Sequence, residues 1–97
     1  MPMKISSDMR RKLDLIRVLS TAEQPSIHDL HRETKIPEPT IKRQLAAMRR
    51  EFGMRILFVR DTGGERGATG YYMLMDWGII DQDAFHRRYP EIVAKAE

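Results

Sequence analysis

Two strand-like runs, RILFVR (Arg55 to Arg60) and YYMLMDW (Tyr71 to Trp77), are separated by DTGGERGATG, a stretch that holds four of the chain's six glycines. This arrangement constrains the fold more than any other feature, because such a loop either cradles a phosphate or turns a hairpin. A Walker loop needs G-x-x-x-x-G-K-[ST] running into a helix, where backbone N–H groups and a lysine hold the phosphate. No Lys-Ser or Lys-Thr follows these glycines, and the next element is strand-like. Gly64, Gly67 and Gly70 do not have the G-x-G-x-x-G spacing of a dinucleotide turn either. The segment therefore predicts a long β-hairpin whose tip, Thr62 to Gly70, needs positive φ and little bulk, and which binds no nucleotide.

The chain ahead of the hairpin is helical in pattern. Met9, Leu13, Ile16 and Leu19 fall on one stripe of a helix over Asp8 to Thr21, with Ser6 or Ser7 as its cap. Ser26 and Asp29 form a capping box for a short helix, SIHDLHRET, that turns Ile27 and Leu30 inward. Lys35, Ile36 and Pro37 break the pattern. A third helix follows from about Glu38 to Phe52, with Ile41, Leu45, Met48 and Phe52 inward and Gly53 as terminator. Pro39 is tolerated in its first turn, where the missing N–H has no helical partner. Beyond Gly78, Asp81 caps a last helical segment that the sequence predicts to be interrupted at Pro90.

Three helices followed by a hairpin is the order of a winged helix-turn-helix, an α+β fold. LHRETKIPEPTIKRQL (Leu30 to Leu45) resembles the helix-turn-helix pattern ending in [ST]-[VI]-x-R-x-L, matched here by Thr40, Ile41, Arg43 and Leu45. Its continuation through Gly70, Tyr72 and Leu74 is similar to the N-terminal domains of DeoR-type and WYL-type bacterial transcription regulators, with one extra tyrosine. The resemblance covers about residues 8 to 77. It implies sequence-specific binding of double-stranded DNA, with the third helix in the major groove and the wing on flanking DNA. The pattern usually has a small residue where His31 stands, glycine where Lys35 stands and a serine cap where Pro37 stands. His31 is accordingly expected at the contact between the second and third helices.

The residues of the third helix support the same chemistry independently. At 100° per residue, Arg43, Ala46, Ala47 and Arg50 lie opposite the apolar stripe, with Thr40 at the leading end. The alanines permit close approach to base edges, and the Arg43 fork suits guanine O6 and N7. Lys42 and Arg49 project from one flank, where phosphates would lie. From Lys42 to Arg66 the sequence has seven cations (42, 43, 49, 50, 55, 60, 66) against three acids (51, 61, 65), so the positive charge is local to this region. The expected contact set is Pro39, Thr40, Lys42, Arg43, Ala46, Ala47, Arg49, Arg50, Arg60 and, at the wing tip, Arg66.

The rest of the sequence narrows the alternatives. His28 and His31 make an i, i+3 imidazole pair, but no HExxH and no third ligand accompany them, so no metal is expected. No nucleophile motif links the Ser, His and Asp residues, and neither catalysis nor a cofactor is expected. With no cysteine, no disulfide or Cys-based zinc site is available. No apolar run reaches membrane-span length and MPMKISSDMRRK lacks a signal-peptide core, so no membrane partner and a cytoplasmic location are expected. The expected organisation is a DNA-binding domain over residues 1–78 and a helical tail over 79–97. Tyr71, Met73, Met75 and Trp77 alternate on one face of the second strand, with Tyr72 and Leu74 on the other. The spare face needs cover from the tail residues Phe85, Tyr89, Ile92 and Val93 or from another copy of the chain, and a homodimer contact that uses this face and the tail is expected. A winged-helix module that binds protein or RNA is the alternative from a different class.

Overall fold

A computed structural model describes residues 5–60 and 70–95, with side chains described through residue 91. Arg66 and the loop 61–69, including most of the expected wing tip, lie outside the described residues, as do the side chains of Ile92 and Val93.

Helix α1, Ser7–Thr21, starts at Ser6, whose Oγ accepts the Met9 N–H at 3.0 Å. It buries Leu15 and Val18 in addition to Leu13, Ile16 and Leu19. The wider buried surface follows from its position, because α1 meets the second helix, the third helix and the second strand. Helix α2, Ile27–Thr34, has the predicted capping box: the Asp29 N–H donates to Ser26 Oγ at 3.1 Å and the Ser26 N–H donates to Asp29 Oδ2 at 3.0 Å. Leu30 is its fully buried anchor, and Ile27 packs at the core's edge.

The turn after α2 accounts for two of the departures in sequence pattern. Lys35 has φ of +65°, the left-handed geometry for which glycine is the usual choice. His31 is exposed and does not wedge the helices apart; its Nδ1 donates to the Ile36 carbonyl at 2.7 Å and holds the turn from outside. Ile36 can then plug the core between the two helices.

Helix α3, Glu38–Phe52, has no side-chain cap at Pro37 and closes at Gly53, whose φ is +69°. Ile41, Leu45, Met48 and Phe52 are all buried, as the periodicity requires. Gln44 on α3 donates to Asp8 Oδ1 at 2.6 Å, and the buried Lys12 ammonium donates to Oδ2 of the same carboxylate at 2.5 Å. These bonds, the lysine contact before the glutamine one, hold the Asp8 carboxyl below its usual range and tie the start of α1 to α3.

Strands β1, Arg55–Arg60, and β2, Gly70–Asp76, form an antiparallel hairpin with Ile56 opposite Leu74 and Phe58 opposite Tyr72. Ile56, Tyr72 and Leu74 face the core, and the Tyr72 N–H donates to the Pro25 carbonyl at 2.9 Å, tying β2 to the α1–α2 connection. Leu57 and Met73 pair on the outer face, where Met75 is also exposed.

Trp77 does not join that outer face. It lies just past the end of β2, packs against the core and meets the ring of Phe85 at a centroid distance of 5.6 Å. Gly78 explains the change of direction. Its φ is +61°, and a Cβ there would lie 2.0 Å from the Phe52 carbonyl oxygen, while the next N–H, of Ile79, donates to that same oxygen at 2.9 Å. The chain is thus pinned against the end of α3 at a point where only glycine fits.

Helix α4, Gln82–Lys95, begins at Asp81, whose Oδ1 accepts the Asp83 N–H at 3.1 Å. Contrary to the predicted break, the helix runs through Pro90. Phe85 is buried in the core and stacks on Tyr89 at 5.1 Å; the Tyr89 hydroxyl donates to Asp14 Oδ1 on α1 at 2.6 Å. Burial and this carboxylate neighbour both raise the Tyr89 pKa. These contacts seat α4 on α1 and Trp77, and among the described residues Leu57, Met73 and Met75 of the outer hairpin face remain exposed.

Candidate nucleic-acid interface

The core stripe of α3 fixes which side chains remain outside. Pro39, Lys42, Arg43, Ala46 and Arg50 are exposed, while Thr40 and Ala47 are half-buried. The two alanines keep this face low between Arg43 and Arg50. Arg43 Nη2 approaches Thr40 Oγ1 at 3.4 Å, a long contact that leaves its guanidinium edge free. Arg50 makes one exposed contact to Glu51 at 3.5 Å. Arg60 is exposed at the far end of β1, on the core-facing side of the hairpin, in line with Ile56 and Phe58.

Arg49, exposed on the flank its helical angle assigns, also makes a tertiary contact. Its Nε and Nη2 both donate to the Ile56 carbonyl, at 3.0 and 2.8 Å, so the guanidinium is turned from the flank of α3 onto β1. The Ile56 carbonyl receives the two donors that a rigid guanidinium fork can offer together. Lys42 and Arg49 are both exposed on that flank, and of the two only Arg49 is tied to β1.

Helix α2 adds a polar tether that the sequence pattern did not reveal. His28 Nδ1 donates to Glu38 Oε2 at 3.2 Å, joining the first turns of α2 and α3 across their outer surface. His28 and His31 thus have separate partners, Glu38 and the Ile36 carbonyl. Among the described residues no three His, Asp or Glu side chains are grouped to hold a metal ion. A groove of about 710 Å³ lies off the basic face, where α1, the end of α2 and α4 meet, lined by Arg10, Asp14, Arg17, Glu33, Thr34, Tyr89 and Pro90. Asp14 within it accepts from both Arg10 and Tyr89.

The helix-turn-helix pair, the basic α3 face and the hairpin behind it agree with the family comparison, in which a model described as winged helix-turn helix matches residues 4–96. The chain belongs to the winged helix-turn-helix family. In its terms α3 is the recognition helix and β1–β2 the wing. The match concerns the winged helix-turn-helix as such and does not extend to the DeoR-type or WYL-type regulators. No curated protein and no solved structure matches the chain significantly. Winged helix-turn-helix domains are typically non-enzymatic DNA-binding modules, and DNA binding is the function this membership supports. Among the described residues no helix is long and apolar enough to cross a membrane.

Proposed function

We propose that this winged helix binds double-stranded DNA with sequence specificity, as a bacterial-type transcription regulator working in the cytoplasm as a homodimer. The observation that carries the reading is the exposed face of α3, where Arg43 and Arg50 flank the low surface of Ala46 and Ala47. A helix with that face fits the major groove, where an arginine fork discriminates guanine from the other bases. In this reading Arg43 contacts base edges, Thr40, Ala46 and Ala47 line the approach, and Lys42, Arg50, Arg60 and Arg66 neutralise phosphates. Pro39 starts the recognition helix without a donor of its own.

The dimer follows from what one recognition helix reads. Three or four side chains cover only a few base pairs, and a two-fold pair on a symmetric site multiplies the specificity. The outer wing face, with Leu57, Met73 and Met75 exposed, supplies apolar surface for the contact. Trp77 belongs instead to the intramolecular core.

Selection of bound fragments from random duplex DNA, followed by a salt titration on the selected site, tests the function. A recurrent, two-fold symmetric site bound with a steep inverse dependence on salt is the expected result. A fragment pool without enrichment, or binding insensitive to salt, would displace the DNA reading in favour of a protein-binding module, and preference for RNA would displace it in favour of the other alternative.

A further inference from the structure

Phe58 is the one large apolar side chain of β1 that faces the recognition helix's side of the wing and still remains 44% exposed. Alternation places it on the same face as Ile56, which is buried in the core. Opposite Phe58 is Tyr72, whose ring lies 5.0 Å away at 55°. The face thus runs outward from the core: Ile56 and Leu74, then Phe58 and Tyr72, then Arg60 and Gly70.

The Phe58 ring is held in place. A Cβ built on Gly70 would stand 2.6 Å from Phe58 Cζ and 2.4 Å from the Val59 carbonyl oxygen, so the ring occupies the space that any other residue at position 70 would fill. Tyr72 supports it from the neighbouring strand. A glycine and a tyrosine together fix an aromatic surface that stays partly open to solvent.

Cations border this surface. Arg60 follows along β1 and Arg49 grips Ile56 two residues before; the flank of α3 that carries Arg49 also carries Lys42 and Glu38, and the Glu38 carboxylate acts on the Tyr72 hydroxyl. An apolar ring beside Arg60 and Arg49 matches a surface that alternates anionic and apolar groups. A nucleic-acid strand has that alternation, with phosphates separated by sugars whose carbon edges are apolar.

We propose that Phe58 is a DNA contact, packing its ring against deoxyribose of the strand that runs between α3 and the wing. The proposal rests on the duplex-DNA reading above and adds to it an apolar contact that carries no charge. Gly70 and Tyr72 are then positioning residues for that ring.

The test compares Phe58→Ala, Phe58→Leu and Lys42→Ala with the wild-type chain on the selected duplex, by fluorescence anisotropy across a range of salt, with thermal melts of each variant. Phe58→Ala is expected to weaken binding roughly tenfold, as removal of a partly buried aromatic contact does. Phe58→Leu should recover most of the loss at a melting temperature equal to that of the Ala variant. The slope of log affinity against log salt should stay at the wild-type value for both, whereas Lys42→Ala should flatten it by about 1. Wild-type affinity in Phe58→Ala overturns the proposal, as does a loss accompanied by a flattened slope. A greater loss on single-stranded DNA than on the duplex would assign the ring to base stacking and also overturns it. A wild-type chain that binds no duplex in a salt-dependent way fails the parent reading, and with it this contact, before any variant is compared.

Discussion

Arginines at three positions of α3, all plain cations in sequence, have different surroundings. Arg43 keeps a free edge beside Thr40, Arg50 lies on the surface near Glu51, and Arg49 gives its fork to the Ile56 carbonyl. Arg43→Ala is expected to cost about 1 to 3 kcal/mol on the preferred site and to relax discrimination at one base position. Lys42→Ala should weaken all sequences alike. Binding measured on the site and on single-base variants separates the two, and equal sequence-independent losses would remove Arg43 from base reading. Arg49→Ala has a different expected outcome: it should lower the stability of the free protein by about 1 to 3 kcal/mol, because the Ile56 carbonyl loses both side-chain donors. Urea denaturation reads this directly, and an unchanged midpoint would show that the Arg49 contact contributes nothing to holding the wing.

At the scale of elements, the starts of α1 and α2 were legible because their caps are local. Ser26 and Asp29 satisfy each other's backbone N–H groups within one turn, and no distant contact is needed to make that box. The Ser26 backbone N–H, its largest stabilising partner, holds the Asp29 carboxyl below its usual pKa of 3.8. A depressed carboxylate pKa stabilises the fold fully above the unfolded value, and that contribution is lost as pH falls through the folded one. Stability should therefore fall as the solution is acidified below about pH 4, and Asp29→Asn should make the curve shallower. Urea midpoints of both proteins at about pH 7 and about pH 3 give the comparison; parallel losses would show that Asp29 is not a source of the acid sensitivity. Asp8, depressed by Lys12 and Gln44, contributes in the same direction, so the Asn variant should keep part of the slope.

The whole molecule joins α4 to the three-helix core through aromatic contacts. Phe85 is buried among core side chains, Trp77 lies against it, and Tyr89 reaches Asp14 across α1. Phe85→Ala should therefore destabilise the domain by about 3 to 5 kcal/mol and shift Trp77 fluorescence to the red, since the cavity opens beside the indole. An unaltered melt and spectrum would mean that α4 is an appendage rather than part of the core. Assembly is a separate matter at the same scale. Sedimentation should give a dimer at micromolar concentration, and Met73→Glu, which places a charge on the outer wing face, should give a monomer that still melts cooperatively. A wild-type monomer at high concentration would withdraw the dimer and leave that face to another partner.

The sequence by itself determined the order of elements, the bounds of α3, the capping box of α2 and the inward stripe of α3, because periodicity, caps and the Gly53 stop act within a few residues. It also placed the positive charge on the α3 and hairpin region, since charge location along the chain needs no fold to be counted. Tertiary structure decided what depends on residues far apart in sequence. Trp77 obeys strand alternation only as far as β2 extends, and the turn at Gly78, pressed against Phe52, moves it from the outer face into contact with Phe85. Arg49 lies on the flank its helical angle assigns, yet its guanidinium finds the Ile56 carbonyl only once β1 packs beside α3. Phe58 alternates with Ile56 on one face, but whether its ring is buried depends on where the core ends, and the core ends between them. Angular position follows from the chain's own geometry, whereas the partner at that angle is supplied by another element.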